Sequence, residues 1–421
     1  MKQNNSRRSF LRYAGLGFSS PLLFSFGKGV EYEKNPIPVE KGIIVTGIDL
    51  HIIKVNQRGD WYFIELKTNK GISGLGECSH AFAKSLPDGQ LILKSEVQAF
   101  FELIKGQSPF NIELYRQRGF AKADSKLKKT VFSGIEQALW DLNGKILGIP
   151  SYNLLGGKLR DKLRVYANIN RATNERDGNG RRPVASFQKN AEQAVKEGFT
   201  ALKLAPFDEV RPLDKFSENE IQVDINHAVK CIEGVRSTVG KNIDILIDVH
   251  SHLNIPLSIE TSKKLETSKL YWFEEPVDPD KYHAETKIIR SSINQVLAGG
   301  EAIWGRKGYE ELIHDRALEI IMPDVKHCGG LLELKYIAAL AETAGIKVAP
   351  HNPSGPVATA ASISICTTIP NFDILEYAFG EVPWSRSLVN PAEEFDKGFL
   401  SVSDKPGTGI TLNRTLINQH K

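Results

Sequence analysis

Ile245-Leu246-Ile247-Asp248-Val249-His250 is a short apolar run that ends on an acid and a histidine. The same device recurs at Tyr271-Trp272-Phe273-Glu274-Glu275 and at Val296-Leu297-Ala298-Gly299-Gly300-Glu301. Outward from these three, similar runs stand at Val165-Tyr166-Ala167, Ala201-Leu202-Lys203-Leu204, Ile320-Ile321-Met322, Ile346-Lys347-Val348 and Ile374-Leu375-Glu376. Segments of helical spacing, such as Leu331 to Ala344, lie between them. Short strands alternating with helices imply a parallel sheet. About eight such units in roughly 220 residues predict an α/β barrel of the (β/α)8 type. A doubly wound open sheet is the alternative, and no Gly-rich phosphate fingerprint supports it.

Upstream the pattern differs. Residues 41–78 alternate in a strand-like way, through Ile43 to Val45, Leu50 to Val55 and Trp61 to Leu66, with Asn69, Lys70, Gly71 and Gly74 read as turn residues. From Leu91 to Leu155 the spacing is helical, and Val131, Ile135, Ala138, Leu139 and Leu142 share one face. Gly148 and Pro150 close that helix. The reading is a small antiparallel sheet with helices, ahead of the barrel.

The chemistry lies in the polar residues that end the apolar runs. These are Lys203, Asp248 with His250, Glu274 with Glu275, Glu301, Asp324, His351 and Glu376. Strand ends of a barrel converge on one mouth, where active sites lie. Asp248, Glu274 and Glu301 follow one another at steps of 26 and 27 residues, which places them at three neighbouring strand ends. Any one acid could cap a helix or pair with a lysine. Three that converge repel each other unless a cation sits between them, and an all-oxygen set favours a hard ion such as Mg2+. Asp324 and His351 fall at neighbouring ends, so the acid can orient the ring and make it a general base. His250 lies two residues past Asp248, on the same side of an extended chain. His51, His227, His283, His314 and His420 have no such context and read as packing or surface residues.

Bulk properties exclude several classes. The 54 basic and 50 acidic residues leave a formal charge of +4 and are interspersed, so no basic patch invites nucleic acid. No apolar run is long enough to span a bilayer. Cys78, Cys231, Cys328 and Cys366 are widely spaced without a CxxC pair, which reads as buried free thiols. The start, Ser6-Arg7-Arg8-Ser9-Phe10-Leu11-Arg12 followed by an apolar stretch to about Phe26, has the layout of a twin-arginine export signal, which predicts periplasmic delivery in the folded state. Polar loops at 170–183 and 206–219 follow the first two barrel strands. The arginines of the first, Arg171, Arg176, Arg181 and Arg182, read as solvated loop charge rather than as a site for a second carboxylate.

Taken together, these signatures resemble the enolase superfamily in its mandelate racemase branch, with the galactonate dehydratase-like members closest. They are Gly74-Leu75-Gly76-Glu77, Ala138-Leu139-Trp140-Asp141, Leu155-Gly156-Gly157-Lys158, Asp248-Val249-His250, Phe273-Glu274-Glu275-Pro276, Gly299-Gly300-Glu301, Met322-Pro323-Asp324 with Gly329-Gly330, and Ala349-Pro350-His351. The resemblance spans about residues 41–390. With the export signal set at residues 1–30, it implies an α+β capping domain (41–160), a (β/α)7β barrel (161–385) and a C-terminal segment (386–421) that returns to the cap. It implies one Mg2+ on Asp248, Glu274 and Glu301, a base dyad of His351 and Asp324, and His250 as the general acid. Lys203 would contact the substrate carboxylate, and Glu376 would hydrogen-bond the substrate from the opposite side.

Racemases of that family often carry a second lysine two residues after the first on the second barrel strand. Here the position is Ala205, which removes one of two opposed bases. The expected reaction is therefore dehydration of a small-molecule sugar acid to a 2-keto-3-deoxy acid. An epimerase using His250 and His351 as opposed bases, and a silent sugar-acid binding protein, are the rival readings. Specificity is expected from loops at about 56–60 and 79–88. Homo-oligomerisation stays open.

Overall fold

The structure is a computed structural model that describes residues 42–421; the expected export signal lies outside the described residues. β1 (Val45–Asn56), β2 (Gly59–Thr68) and β3 (Ser73–Glu77) form an antiparallel sheet in that order. β1 runs unbroken from Val45 to Asn56, bulged near both ends. Four helices follow: α1 (Gly89–Phe101), α2 (Ile112–Gly119), α3 (Lys126–Leu147) and the short α4 (Ser151–Leu154). The face predicted for α3 is buried, from Val131 through Leu142, and Gly148 ends the helix in the left-handed region at φ 69°.

Gly74 is not a turn residue as its sequence context suggested; it lies inside β3. A Cβ there would stand 2.2 Å from the Ala138 carbonyl oxygen, and one on Gly76 would stand 1.9 Å from that of Gly134. The two glycines let the backbones of β3 and α3 touch.

The barrel follows as β4 (Lys162–Asn168), α5 (Val184–Lys196), β5 (Ala201–Leu204), α6 (Glu218–Val239), β6 (Asp244–Asp248), α7 (Ile255–Lys264), β7 (Trp272–Glu274), α8 (His283–Ser292), β8 (Leu297–Gly299), α9 (Gly305–His314), β9 (Ile320–Ile321), α10 (Gly330–Thr343), β10 (Lys347–Val348), α11 (Pro356–Cys366) and β11 (Leu375–Tyr377). Parallel pairing runs in order from β4 to β10, and β11 pairs with β4. A bridge between Val348 and Phe372 closes the ring. This is a (β/α)7β barrel.

Period-two alternation explains both its core and its mouth. Tyr166, Ala201, Leu246, Trp272, Met322, Ala349 and Ile374 pack together as an interior plug. Two residues further along each chain stand Asn168, Lys203, Asp248, Glu274, Asp324, His351 and Glu376. The functional layer thus sits directly above an apolar floor. Side chains of opposite parity, such as Leu202, Ile247 and Phe273, join the core shared with the helices.

The C-terminal tail contains β12 (Val389–Asn390), β13 (Phe395–Asp396), β14 (Phe399–Ser401), β15 (Thr411–Leu412) and α12 (Arg414–Gln419). Its contacts are divided. β14 pairs antiparallel with β4 of the barrel. Arg414 grips Glu65 of β2 through both oxygens at 2.8 and 2.5 Å, and the Lys54 amide donates to the His420 carbonyl at 2.6 Å.

Two carboxylates of the N-terminal unit serve as caps for barrel helices. Glu77 accepts the Gly355 and Ala358 amides at the start of α11, at 2.9 and 2.8 Å. Glu136 accepts the Leu331 and Leu332 amides at the start of α10, at 2.7 and 3.1 Å. Each satisfies amides that a helix start otherwise leaves without partners.

Candidate active site

Asp248, Glu274 and Glu301 end or follow the third, fourth and fifth strands of the ring, and each offers an oxygen within 4.8 Å of the other two. Asp248 and Glu274 are fully buried. Burial and the neighbouring charge of Asp248 push the Glu274 carboxyl well above the ordinary range, with Glu301 adding to the effect. Lys203 stands on the floor beside them, its ammonium 3.4 Å from Asp248, 3.1 Å from Glu274 and 3.2 Å from Glu376. Burial disfavours its charge, but Glu274 and Glu376 outweigh that and hold the lysine protonated.

One lysine does not balance this many carboxylates, and it does not touch Glu301. Glu301 Oε2 is buried and has no hydrogen-bond partner, although His351 Nε2 lies 3.0 Å away outside hydrogen-bonding geometry. An all-oxygen set with an unpartnered buried oxygen fits a hard divalent cation. Glu275 turns away from the cluster: its Oε1 accepts the Gly300 and Glu301 amides at 2.7 and 3.3 Å, and so fixes the backbone that carries Glu301.

A second triplet, Asp49, His51 and Glu65, also brings ligand atoms together. There Glu65 is already held by Arg414 and by His51 at 2.9 Å, so the chain supplies the cation itself. His51 is a packing residue, as its sequence context indicated.

His351 follows β10, the seventh strand, and His250 follows β6, the third. Four strands apart in an eight-strand ring, they face each other across the mouth. His351 Nδ1 lies 2.7 Å from Asp324 Oδ2, and that oxygen also accepts from Lys326 Nζ at 2.5 Å. Burial would raise the Asp324 carboxyl, but Lys326 and the nearby histidines hold it well below the carboxylate range. An ionised Asp324 is a suitable acceptor for Nδ1–H, and Nε2 then points to the mouth, beside Glu301.

His250 has a carboxylate on each nitrogen. Nδ1 is 2.5 Å from Asp208 and Nε2 is 2.9 Å from Asp248. Burial works against its charge, but Asp248 and Asp208 win and raise the ring well above its ordinary value. The two carboxylates thus favour the protonated ring, which suits a group that gives a proton. His250, Ser251 and Glu275 all have positive φ, at 48°, 62° and 39°, a backbone conformation that side chains of this kind adopt only when the surroundings impose it. Glu376 is pinned by Asn168 Nδ2 at 2.6 Å and the Asn352 amide at 3.0 Å.

The structure brings every residue anticipated from the sequence to one mouth: Lys203, Asp248, His250, Glu274, Glu301, Asp324, His351 and Glu376. It adds Asp208, Lys326, Asn168 and Asn352. Lys326 carried a signal, since it stands two residues past Asp324 as His250 does past Asp248. Asp208 carried none, being one acid in a polar loop. Among the loop arginines, Arg176 is exposed as expected, but Arg182 differs. Arg182 is 1% exposed and binds Asp208 and Glu209 at 2.9 and 2.5 Å, so it holds the partner of His250 and is not solvated charge.

The family profile described as mandelate racemase / muconate lactonizing enzyme, N-terminal domain, matches residues 51–156, and that described as enolase C-terminal domain-like matches residues 186–416. A D-gluconate/D-galactonate dehydratase of Picrophilus torridus is 31% identical over 363 residues, covering 85% of this chain and 87% of that protein. A D-xylonate dehydratase of Haloferax volcanii is 29% identical over 382 residues, covering 88% of each. A crystal structure of a mandelate racemase/muconate lactonizing enzyme from Jannaschia sp. CCS1 superposes with a TM-score of 0.78 at 27% identity, covering 90% of this chain and 97% of that one. With its barrel, its carboxylate triplet and both profiles in register, the chain belongs to the enolase superfamily, in the mandelate racemase and muconate lactonizing enzyme branch.

Proposed function

We propose that the protein is a Mg2+-dependent hydro-lyase that dehydrates a sugar acid, an aldonate or a related acid, to its 2-keto-3-deoxy product. One observation carries this reading: His351, held by Asp324 through Nδ1 and with Nε2 beside Glu301 of the carboxylate triplet, faces across the mouth a second histidine, His250, whose protonated form two aspartates favour. That pairing suits removal of a proton from one carbon and protonation of a leaving group on the next. The similarity to sugar-acid dehydratases supports the same substrate class.

Asp248, Glu274 and Glu301 would hold the cation, which when bound offsets the charge that develops on the substrate carboxylate. His351 Nε2 takes the proton from C2, next to the carboxylate. The electron pair of that bond forms the C2–C3 double bond as the C3 hydroxyl departs. His250 gives its proton to that hydroxyl, which leaves as water, and the enol tautomerises to the 2-keto acid. Each of the two proton transfers contributes on the order of 10²–10⁴-fold. Lys203 adds positive charge at the carboxylate end, and Glu376, kept ionised by Lys203, accepts from a substrate hydroxyl. Residues 1–30 would direct the folded enzyme to the periplasm, which fusion to a reporter active only after folded export tests; a reporter that stays inside removes that reading.

Epimerisation has one observation in its favour, since His250 is held by an aspartate much as His351 is. NMR of reactions with a panel of aldonic and aldaric acids and Mg2+ separates the two. A 2-keto-3-deoxy product is expected. A C2 epimer of the starting acid, without water loss, would contradict dehydration.

A further inference from the structure

The roof of the mouth differs in charge from its floor. A cavity of about 740 Å3 lies under the turn between β1 and β2 and the loop after β3. No catalytic residue lines it, but two of its lining residues are tied to the catalytic layer. Arg58 Nη2 donates to the Asn170 carbonyl at 2.5 Å, and the Asn170 side chain accepts from Arg182, the residue that holds Asp208. His80, on the other wall, lies within electrostatic reach of Asp324.

The lining carries four cations, Lys54, Arg58, Lys84 and Lys94, against two carboxylates, Asp60 and Asp88. Lys54 is spent on Asp60 at 2.7 Å. Among the described residues Lys84 reaches only backbone carbonyls, those of Asn56 and Gln57. Arg58 is half-buried and makes no ion pair among the described residues. Glu381, the acid that most favours its charge, forms its own contacts with Arg171 at 3.1 Å and Asn56 at 2.6 Å. Burial and the positive charge of Arg171 act against the Arg58 guanidinium. His80 is driven neutral by burial and by Arg171.

A partly buried guanidinium without a direct ion pair is costly, and a sugar hydroxyl does not repay it. A carboxylate does, because the planar fork matches it. Resting on the sugar-acid reading above, we infer that Arg58 and the cationic roof form a subsite for a second carboxylate at the far end of the substrate, so that the preferred substrate is a diacid of the aldarate class. The floor holds the reacting carboxylate, and Arg58 selects the distal one.

Matched pairs that differ only at C6 test this: glucarate with gluconate, galactarate with galactonate, and mannarate with mannonate, each with Mg2+. Turnover and thermal shift are both measured for wild type and Arg58→Gln. At least one diacid should exceed its partner in kcat/KM, and Arg58→Gln should raise that diacid's KM roughly 10- to 100-fold, with the loss in KM rather than kcat. Equal or better use of the monoacids, an Arg58→Gln defect shared by both members of a pair, or no diacid-selective effect in either readout would overturn the subsite. Preference for an aldonate phosphorylated at C6 would overturn the carboxylate assignment. A diacid-selective thermal shift that Arg58→Gln abolishes, without turnover of any acid, would keep the subsite and sink the dehydratase reading instead.

Discussion

At the scale of single residues the account rests on divided labour between two histidines. His351→Ala should abolish turnover while Mg2+ still raises the melting temperature, because the three carboxylates are untouched; measurable turnover in that variant would remove His351 from the mechanism. Asp208→Asn should lower kcat by roughly 10-fold or more and leave Mg2+ binding intact, because Asp208 holds the protonated ring of His250 through Nδ1. An unchanged kcat would show that Asp248 alone suffices to keep that ring charged. Much of the site could be read from the chain. Asp248, Glu274, Glu301, His351 and Glu376 each end an apolar run, and a barrel brings such ends together. Asp208 could not be read, because its meaning comes from Arg182 and His250, 26 and 42 residues away and joined to it only by the fold. The character of Arg182 was hidden for the same reason. A loop arginine looks solvated until the loop is seen folded under.

At the scale of elements, the N-terminal unit and the barrel are joined by carboxylates at helix starts. Glu136 of α3 accepts two amides of α10 and the Trp140 indole at 2.8 Å. Burial raises its carboxyl to about 7, against the opposing pull of Arg116. An acid whose folded value exceeds its unfolded one favours folding below the unfolded value and loses that contribution as pH climbs. Wild type should therefore lose thermal stability between about pH 4.5 and pH 7 relative to Glu136→Gln, which has nothing to titrate there. Parallel melting curves with no relative change across that window would contradict the assignment. Glu77→Ala should cost about 1–3 kcal/mol, by leaving the Gly355 and Ala358 amides buried without an acceptor. Denaturant melts give that number directly. The sequence showed Glu77 and Asp141 only as parts of familiar signatures. Their reasons are spatial, since Asp141 accepts the Leu75 amide at 2.8 Å and the Thr408 amide at 2.7 Å. Gly74 was misread for a related cause. A glycine that admits a helix backbone looks, in one dimension, like a glycine that makes a turn.

At the scale of the whole molecule, the barrel gathers Asp248, Glu274, Glu301 and Glu376 at one mouth around Lys203. In the proposed enzyme a divalent cation would offset the crowded charge of these carboxylates. Chelation should lower the melting temperature and Mg2+ should restore it by mass action, whereas Glu301→Gln should blunt the restoration. The ring places His351 and His250, the proposed base and acid, on opposite walls, so proton removal and hydroxyl loss can be separated by substitution. Deuterium exchange at C2 of a turned-over sugar acid in heavy water, followed by NMR, measures this most directly. In His250→Asn the base remains and the acid is gone, so C2 should acquire deuterium while little 2-keto acid forms; in His351→Asn neither exchange nor product should appear. Exchange that persists without His351, or full dehydration without His250, would contradict the assignment of base and acid.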